Sequence, residues 1–245
     1  AGAAQLPRWS LKAEGAIQLQ IGTGVFELTA ASKVASASVW ALRESGLWRG
    51  RGIDWGCGCG VLAFLAARSA DVEHIAGLDL EPANVQAALE NAALNKLGDK
   101  TAFHVADSFD PLDGTKLATA DFILANAPAS SNNDGFEFRR RILREAPAFL
   151  KPGGYVMLQL ISYYGPKRVR EAVDAVPGMR YLGVCATTGW VPVKVRKQRE
   201  VGAVASGTLL NQLQDYADEE RRGGLRYHCH PKAPVTPPQE LDDVE

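Results

Sequence analysis

The chain has 245 residues, 46% of them hydrophobic, which is enough for one large α/β domain with a full core and too apolar for a disordered polymer. Lysine and arginine total 27 against 28 acids, which excludes the overall basicity of a strong non-specific nucleic-acid binder and leaves room for a local basic patch. The four cysteines, at 57, 59, 185 and 229, are too few for a disulfide scaffold and lack paired zinc-ligand spacing. Reduced thiols, no metal site and a cytoplasmic protein are therefore expected.

No apolar run reaches transmembrane length, and the first residues carry no signal pattern, so no membrane role is expected. "AIQLQIGTGVFELT" (16–29) alternates apolar and polar residues up to Ile21 and turns at Gly22 and Gly24, the pattern of a short β-hairpin. "TAASKVASASVWALRESG" (29–46) reads as a helix that Thr29 or Ser32 caps and Gly46 closes. A strand–helix rhythm follows. "RGIDW", "HIAGLDL", "TAFHVAD", "ADFILAN" and "GGYVMLQLIS" read as strands; "MRYLGVCAT" and "VPVKVRKQREVGAVAS" supply two more. "VLAFLAARSA", "EPANVQAALENAALN" with Pro82 in its first turn, "GFEFRRRILREAPAFL" and "PKRVREAVDAV" read as the intervening helices. This alternation predicts a doubly wound, mostly parallel seven-stranded α/β sheet over residues 49–208. Residues 1–48 form an N-terminal hairpin-and-helix appendage, and 209–245 a polar helix and a proline-rich acidic tail.

The segment "GIDWGCGCG" (52–60) falls between the first strand and the first helix of that rhythm, where doubly wound sheets bind ligands. A dinucleotide loop needs glycine or alanine at the sixth position from Gly56, and Val61 stands there. A phosphate-binding loop needs lysine followed by serine or threonine, and neither is present. The spacing that fits is D-x-G-x-G-x-G, from Asp54 through Gly56, Gly58 and Gly60.

That pattern, with Asp79 ending "GLDLEP", Asp107 in "VADSF" and Asn126 and Pro128 in "ILANAPAS", resembles the class I S-adenosylmethionine-dependent methyltransferases. The likeness spans about residues 50–162. It is nearest to the branch with an Asn-Pro-Pro-aromatic fourth motif, which holds the release-factor glutamine and ribosomal-RNA N-methyltransferases. The resemblance implies S-adenosylmethionine as cofactor, a Rossmann-like fold and methylation of a nitrogen in an RNA, a protein or a small metabolite. It implies that Asp79 accepts the ribose hydroxyls. It implies too that Asp107, with its neighbour Ser108, meets the adenine amine, and that Leu80 and Phe109 cover the adenine faces. Ordinary core packing is an equal reading for Leu80 and Phe109, and a helix-terminal carboxylate is the other reading of Asp79. Asp54 holds the loop or meets the methionine amino group, and Cys57 is a small loop side chain beside it.

Phe26 and Thr29, in the segment before the glycine loop, match a lid near the methionine end, or else a cover for a sheet edge. The resemblance makes Asn126 and Pro128 the catalytic pair that aims the acceptor. The motif here reads Asn126, Ala127, Pro128, Ala129, without the stacking aromatic, which favours a smaller or non-planar acceptor or an aromatic from elsewhere. Tyr163 and Tyr164 are candidates to wall that pocket. His104 reads as a packed histidine. His228, Cys229 and His230 are not expected to bind metal, and "RRRILR" (139–144) and "KVRKQR" (194–199) read as solvated basic faces. Alternatives are an O- or C-methyltransferase of a small molecule, a non-catalytic cofactor-binding subunit and, disfavoured by Val61, a nicotinamide oxidoreductase.

Overall fold

A computed structural model describes residues 4–5, 17–26, 28–112, 119–128, 135–161, 164–183 and 186–187. The chain divides into two compact units. One comprises Arg8–Ala127 and Arg141–Gln159; the other comprises Ala1–Pro7, Pro128–Arg140 and Leu160–Glu245.

The elements in chain order are β1 (Ala4–Gln5), α1 (Ala30–Ala41), β2 (Gly50–Trp55), α2 (Val61–Ala67), β3 (Val72–Asp79), α3 (Pro82–Leu94) and β4 (Thr101–Val105). After them come β5 (Ala120–Ala125), α4 (Phe136–Glu145), β6 (Leu150–Leu158), α5 (Pro166–Asp174) and β7 (Ala186–Thr187). The five predicted strands β2 to β6 pair in parallel in the order β4-β3-β2-β5-β6. β2 lies at the centre, and the chain leaves it to build both halves of the sheet, so the end of β2 is the topological switch point. In the second unit β1 and β7 form a separate two-residue parallel pair. Among the described residues of "MRYLGVCAT" only that pair is strand; the last predicted strand, at 191–206, lies outside them, as does the polar helix at 209–222.

Local chemistry explains the elements. Thr29 caps α1 in a reciprocal box, Ser32 N–H donating to Thr29 Oγ1 and Thr29 N–H to Ser32 Oγ, each at 3.2 Å. Pro82 begins α3, where its missing N–H leaves no hydrogen bond unmade. All seven residues of α2 are buried; it packs on β2 and β3 from one side and on α1 from the other. Trp48 fixes the approach to β2: its indole N–H donates to Val39 O at 2.8 Å, and its ring lies 5.4 Å from that of Phe122. Gly77 on β3 is glycine because the Phe103 ring comes within 2.3 Å of where its Cβ would stand.

One predicted element is absent. Among the described residues 17–29 there is no strand, only the turn that Val25 N–H closes on Gly22 O (3.3 Å). The alternation at 16–21 is real, but the backbone of this segment pairs with side chains of α3 rather than with a second strand.

Gly60 precedes α2 at φ +88, and its Cβ would stand 2.6 Å from the Phe64 ring. Gly58, at φ +53, has nothing within 4 Å of that point. Gly60→Ala is therefore expected to lower stability by about 2 kcal/mol or more and Gly58→Ala by about 1 kcal/mol. Urea unfolding of the two variants checks the order.

Candidate active site

The glycine loop turns on three left-handed residues, Gly56 (φ +67), Gly58 (φ +53) and Gly60 (φ +88). It is held from the end of the neighbouring strand β3. Cys57 N–H donates to Leu78 O (2.9 Å) and Gly58 N–H to Asp79 Oδ2 (2.8 Å). Among the described residues, apart from their neighbours in the chain, no heavy atom lies within 4 Å of the positions where side chains at Gly56 and Gly58 would begin, so a ligand can approach the backbone there.

Asp54 lies beneath this loop and is 1% exposed. Its Oδ2 accepts from Ala63 N–H in the first turn of α2 (2.9 Å), while Oδ1 is buried with no partner. Burial pushes its carboxyl up to about 7, against the pull of the Ala63 N–H and with added repulsion from Asp79. Cys57 and Cys59 are free and buried. Burial drives the Cys57 thiol well up and Cys59 to about 11, which leaves both as inert packing groups.

Asp79 ends β3. Its Oδ1 accepts from Glu81 N–H and from Asn84 Nδ2, each at 3.0 Å, in addition to the Gly58 bond at Oδ2. A carboxylate offers about four acceptor positions, and donors among the described residues fill three, so Oδ2 keeps one position open. Glu81 makes no side-chain cap to α3. Asp79 accepts the N–H of Glu81, the residue just before α3, so the helix-terminal reading of Asp79 holds beside its contact with the loop. Leu80 is 62% exposed beside it and presents a free apolar face.

After β4, Asp107 accepts from Arg141 Nη1 at 2.6 Å; Arg141 Nε donates to Glu145 Oε1 at 2.9 Å. Ser108, in the left-handed region at φ +64, donates to Glu145 Oε2 (2.6 Å) and accepts from Trp55 Nε1 (2.8 Å). Its hydroxyl is thereby spent on holding the strand end. Phe109 is 1% exposed and stacks on Phe149 with centroids 4.6 Å apart, so its ring has no surface for a ligand and takes the packing reading.

At the end of β5, Asn126 Nδ2 donates to Ser32 Oγ at 3.1 Å. The amide nitrogen is committed to α1, and the amide oxygen is the end left for another donor. Thr29 serves the α1 cap through the same Ser32, and Phe26 is half exposed. In the other unit, Pro128 O accepts from Arg139 Nη1 (3.0 Å), which also donates to Gly135 O (2.9 Å). Arg139 is 2% exposed, and Arg141 is engaged as above, so "RRRILR" is not a uniformly solvated face: its four arginines divide between burial, ion pairing and surface. Tyr164 is buried against Phe136, with centroids 5.0 Å apart. The half-buried His104 has a buried Nε2 without a partner. Ala129, Tyr163, Cys185, "KVRKQR" and the His228–His230 segment lie outside the described residues.

The site thus gathers Asp54, Gly56, Gly58, Gly60 and Asp79 around one loop, with Asp107 following β4 and Asn126 following β5 in the same sheet. Sequence reasoning missed Asn84, Asn91, Arg141 and Glu145. Amide side chains at 84, 91 and 95, recurring on one face of an otherwise alanine-rich helix, were the available signal.

A family model described as a methyltransferase domain matches residues 50–215. The chain belongs to that methyltransferase-domain family. It is 32% identical over 149 residues to the ribosomal protein L11 methyltransferase of Dechloromonas aromatica, covering 60% of this chain and 40% of that protein. It is 33% identical over 110 residues to the ribosomal RNA small subunit methyltransferase C of Alcanivorax borkumensis, covering 44% and 31%. The matched segments thus span less than half the length of these curated relatives. In fold it is similar to the ribosomal protein L11 methylase of Lactobacillus delbrueckii (TM-score 0.51, 23% identity, 64% of this chain and 74% of that one). It is likewise similar to the N-terminal domain of human METTL16 in complex with SAH (TM-score 0.51, 19% identity, 69% and 71%). Among the described residues no helix is long and apolar enough to cross a membrane.

The raised Asp54 carboxyl has a measurable consequence. The folded protein holds this proton more tightly than the unfolded chain, so the stability it contributes is full below about 3.8 and is lost as pH rises through about 7. The wild type is expected to lose more stability between pH 5 and pH 8 than Asp54→Asn, whose side chain stays neutral. Urea midpoints of both proteins at the two pH values check it.

Proposed function

We propose that this domain binds S-adenosylmethionine and transfers its methyl group to a nitrogen of a protein or RNA acceptor, in the cytoplasm. The observation that carries the reading is the pair of carboxylates at the glycine loop. Asp54 keeps a buried, unpaired oxygen, and Asp79 keeps one open acceptor position beside it. A nucleoside bearing an amino acid supplies what these groups lack, an ammonium for the first and a ribose hydroxyl for the second. When bound, this cofactor supplies an electrophilic methyl on a sulfonium.

The protein's own contribution is positioning, which can account for much of a displacement barrier. Gly56 and Gly58 admit the ligand to the backbone, Leu80 offers an apolar face, and Asp107 offers the carboxylate oxygen that Arg141 does not hold. Asn126 accepts an N–H of the acceptor through the oxygen that its bond to Ser32 leaves available, which turns the nitrogen lone pair toward the methyl carbon. Pro128 keeps Ala127 out of the helical region, and the Ala127 carbonyl is the second acceptor. Phe26 and Thr29 stand at the methionine end. The curated relatives named above act, by their names, on a ribosomal protein and on ribosomal RNA, which supports a macromolecular acceptor over a small metabolite.

Calorimetry decides the cofactor: binding of S-adenosylmethionine and S-adenosylhomocysteine with none of NAD supports the reading, and the reverse overturns it. Asp79→Ala is expected to weaken S-adenosylhomocysteine about 10- to 100-fold, the loss of hydrogen bonds to a charged acceptor. With an acceptor found by transfer of labelled methyl, Asn126→Ala is expected to lower turnover at least 100-fold and to leave cofactor affinity within a few-fold. A product methylated on oxygen or carbon would remove Asn126 from this role.

A further inference from the structure

Three asparagines on one face of α3 and at its end make the same unusual bond. Gln18 N–H donates to Asn95 Oδ1 (2.8 Å), and Asn95 Nδ2 returns a bond to Gln18 O (2.6 Å). Gln20 N–H donates to Asn91 Oδ1 (2.7 Å), and Asn91 Nδ2 returns a bond to Gln20 O (3.1 Å). Phe26 N–H donates to Asn84 Oδ1 (3.0 Å). Each of the first two amides thus matches both backbone groups of one residue, as a neighbouring strand would. Alternation brings Gln18 and Gln20 to the same side, and spacings of seven and four residues bring Asn84, Asn91 and Asn95 to one helix face. All three asparagines are buried, where an unmade amide bond is costly.

Two of the three reach further. Asn84 Nδ2 donates to Asp79 Oδ1 at 3.0 Å, and Asn91 Nδ2 to Cys59 O, within the glycine loop, at 3.2 Å. Asn95 reaches only the backbone of Gln18 and of Asn91. We propose that Asn84 and Asn91 are positioning residues for the cofactor: each accepts from the 17–26 segment through its amide oxygen and holds Asp79 or the glycine loop through its amide nitrogen, which in Asn91 also bonds Gln20 O. Docking of that segment and binding of the cofactor are then mutually dependent. Asn84 fills Asp79 Oδ1 and so directs the carboxylate's open position, on Oδ2, to the ribose. This inference rests on the cofactor reading above.

The test measures amide hydrogen exchange at Gln18, Gln20 and Phe26 and S-adenosylhomocysteine affinity by calorimetry, in the full chain. In the wild type the ligand is expected to slow exchange at Gln20 and Phe26 by about tenfold, the scale of one hydrogen bond. Asn84→Ala is expected to abolish that slowing at Phe26 and to weaken the ligand about tenfold. Asn84→Asp keeps the acceptor for Phe26 N–H and loses the donor to Asp79, so it should weaken the ligand while the Phe26 amide stays protected in the free protein. That loss should shrink to within twofold for the 2′,3′-dideoxy analogue of the ligand, which has no hydroxyls for Asp79 to hold. Asn95→Ala should speed exchange at Gln18 and leave affinity within twofold. Equal losses of affinity in all three variants, or an Asn84→Asp loss undiminished for the dideoxy analogue, would mean general loosening and overturn the proposal. Unchanged affinity in folded Asn84 variants overturns it alone, whereas a wild type that binds no S-adenosylhomocysteine overturns the cofactor reading as well.

Discussion

The glycine loop that faces the ligand depends on the left-handed backbone at residues 56, 58 and 60. A chain in that conformation exposes its amides, and those amides must be answered. Here the answers come from every side. Leu78 O takes the Cys57 N–H, Asp79 takes that of Gly58, and Asn91 donates to Cys59 O. Asp54 grips the start of α2 through Ala63. The sheet order then matters, because β2 lies beside β3 and so has its loop held by the end of that strand and by α3, the helix that follows it.

The same grip concentrates negative charge. Asp54 and Asp79 repel one another across the loop, and burial raises the carboxyl of the first to about 7, so that near pH 7 it is only about half ionised. A ligand cation placed there does more than fill space: it lets Asp54 ionise and makes the two carboxylates agree. Asp107 is treated differently. Arg141 compensates it while also pairing with Glu145, and Glu145 ties that charge network through Ser108 to the indole of Trp55 at the end of β2. The charge next to the proposed adenine position is thus balanced by the protein, and the charge next to the proposed amino-acid position is left for the ligand to balance.

The alternation of strands and helices from 50 to 158 is legible in the sequence because each segment repeats one period long enough to be distinctive. The glycine loop and the strand-end acids are legible because their spacing is a property of the chain. The 17–26 segment misleads for a physical reason. Its period of two marks an extended chain correctly, but periodicity does not name the partner, and side-chain amides 70 or more residues away supply the bonds a second strand would have made. Phe109 illustrates a second limit. An aromatic next to a ligand-binding acid has two apolar neighbourhoods to choose from, and the partner that decides, Phe149, is remote in sequence. Arg139 is a third case, since a run of basic residues on a helix gives no sign of which one turns inward to meet the carbonyls of Pro128 and Gly135.

The burial of every residue of α2 bears on how such a chain can change over generations. A helix with the sheet on one side and α1 on the other has no side on which mutations can drift, so "VLAFLAA" is confined to small and apolar choices that fit together. Asn126, by contrast, stands at the mouth of a strand and half open to solvent. On the proposed reading, inheritance of the nucleoside-facing framework and exploration of new acceptors are in this way assigned to separate stretches of the gene. On that reading a lineage exchanges one target for another by changing the residues around Asn126 while α2 holds the rest of the machinery unchanged.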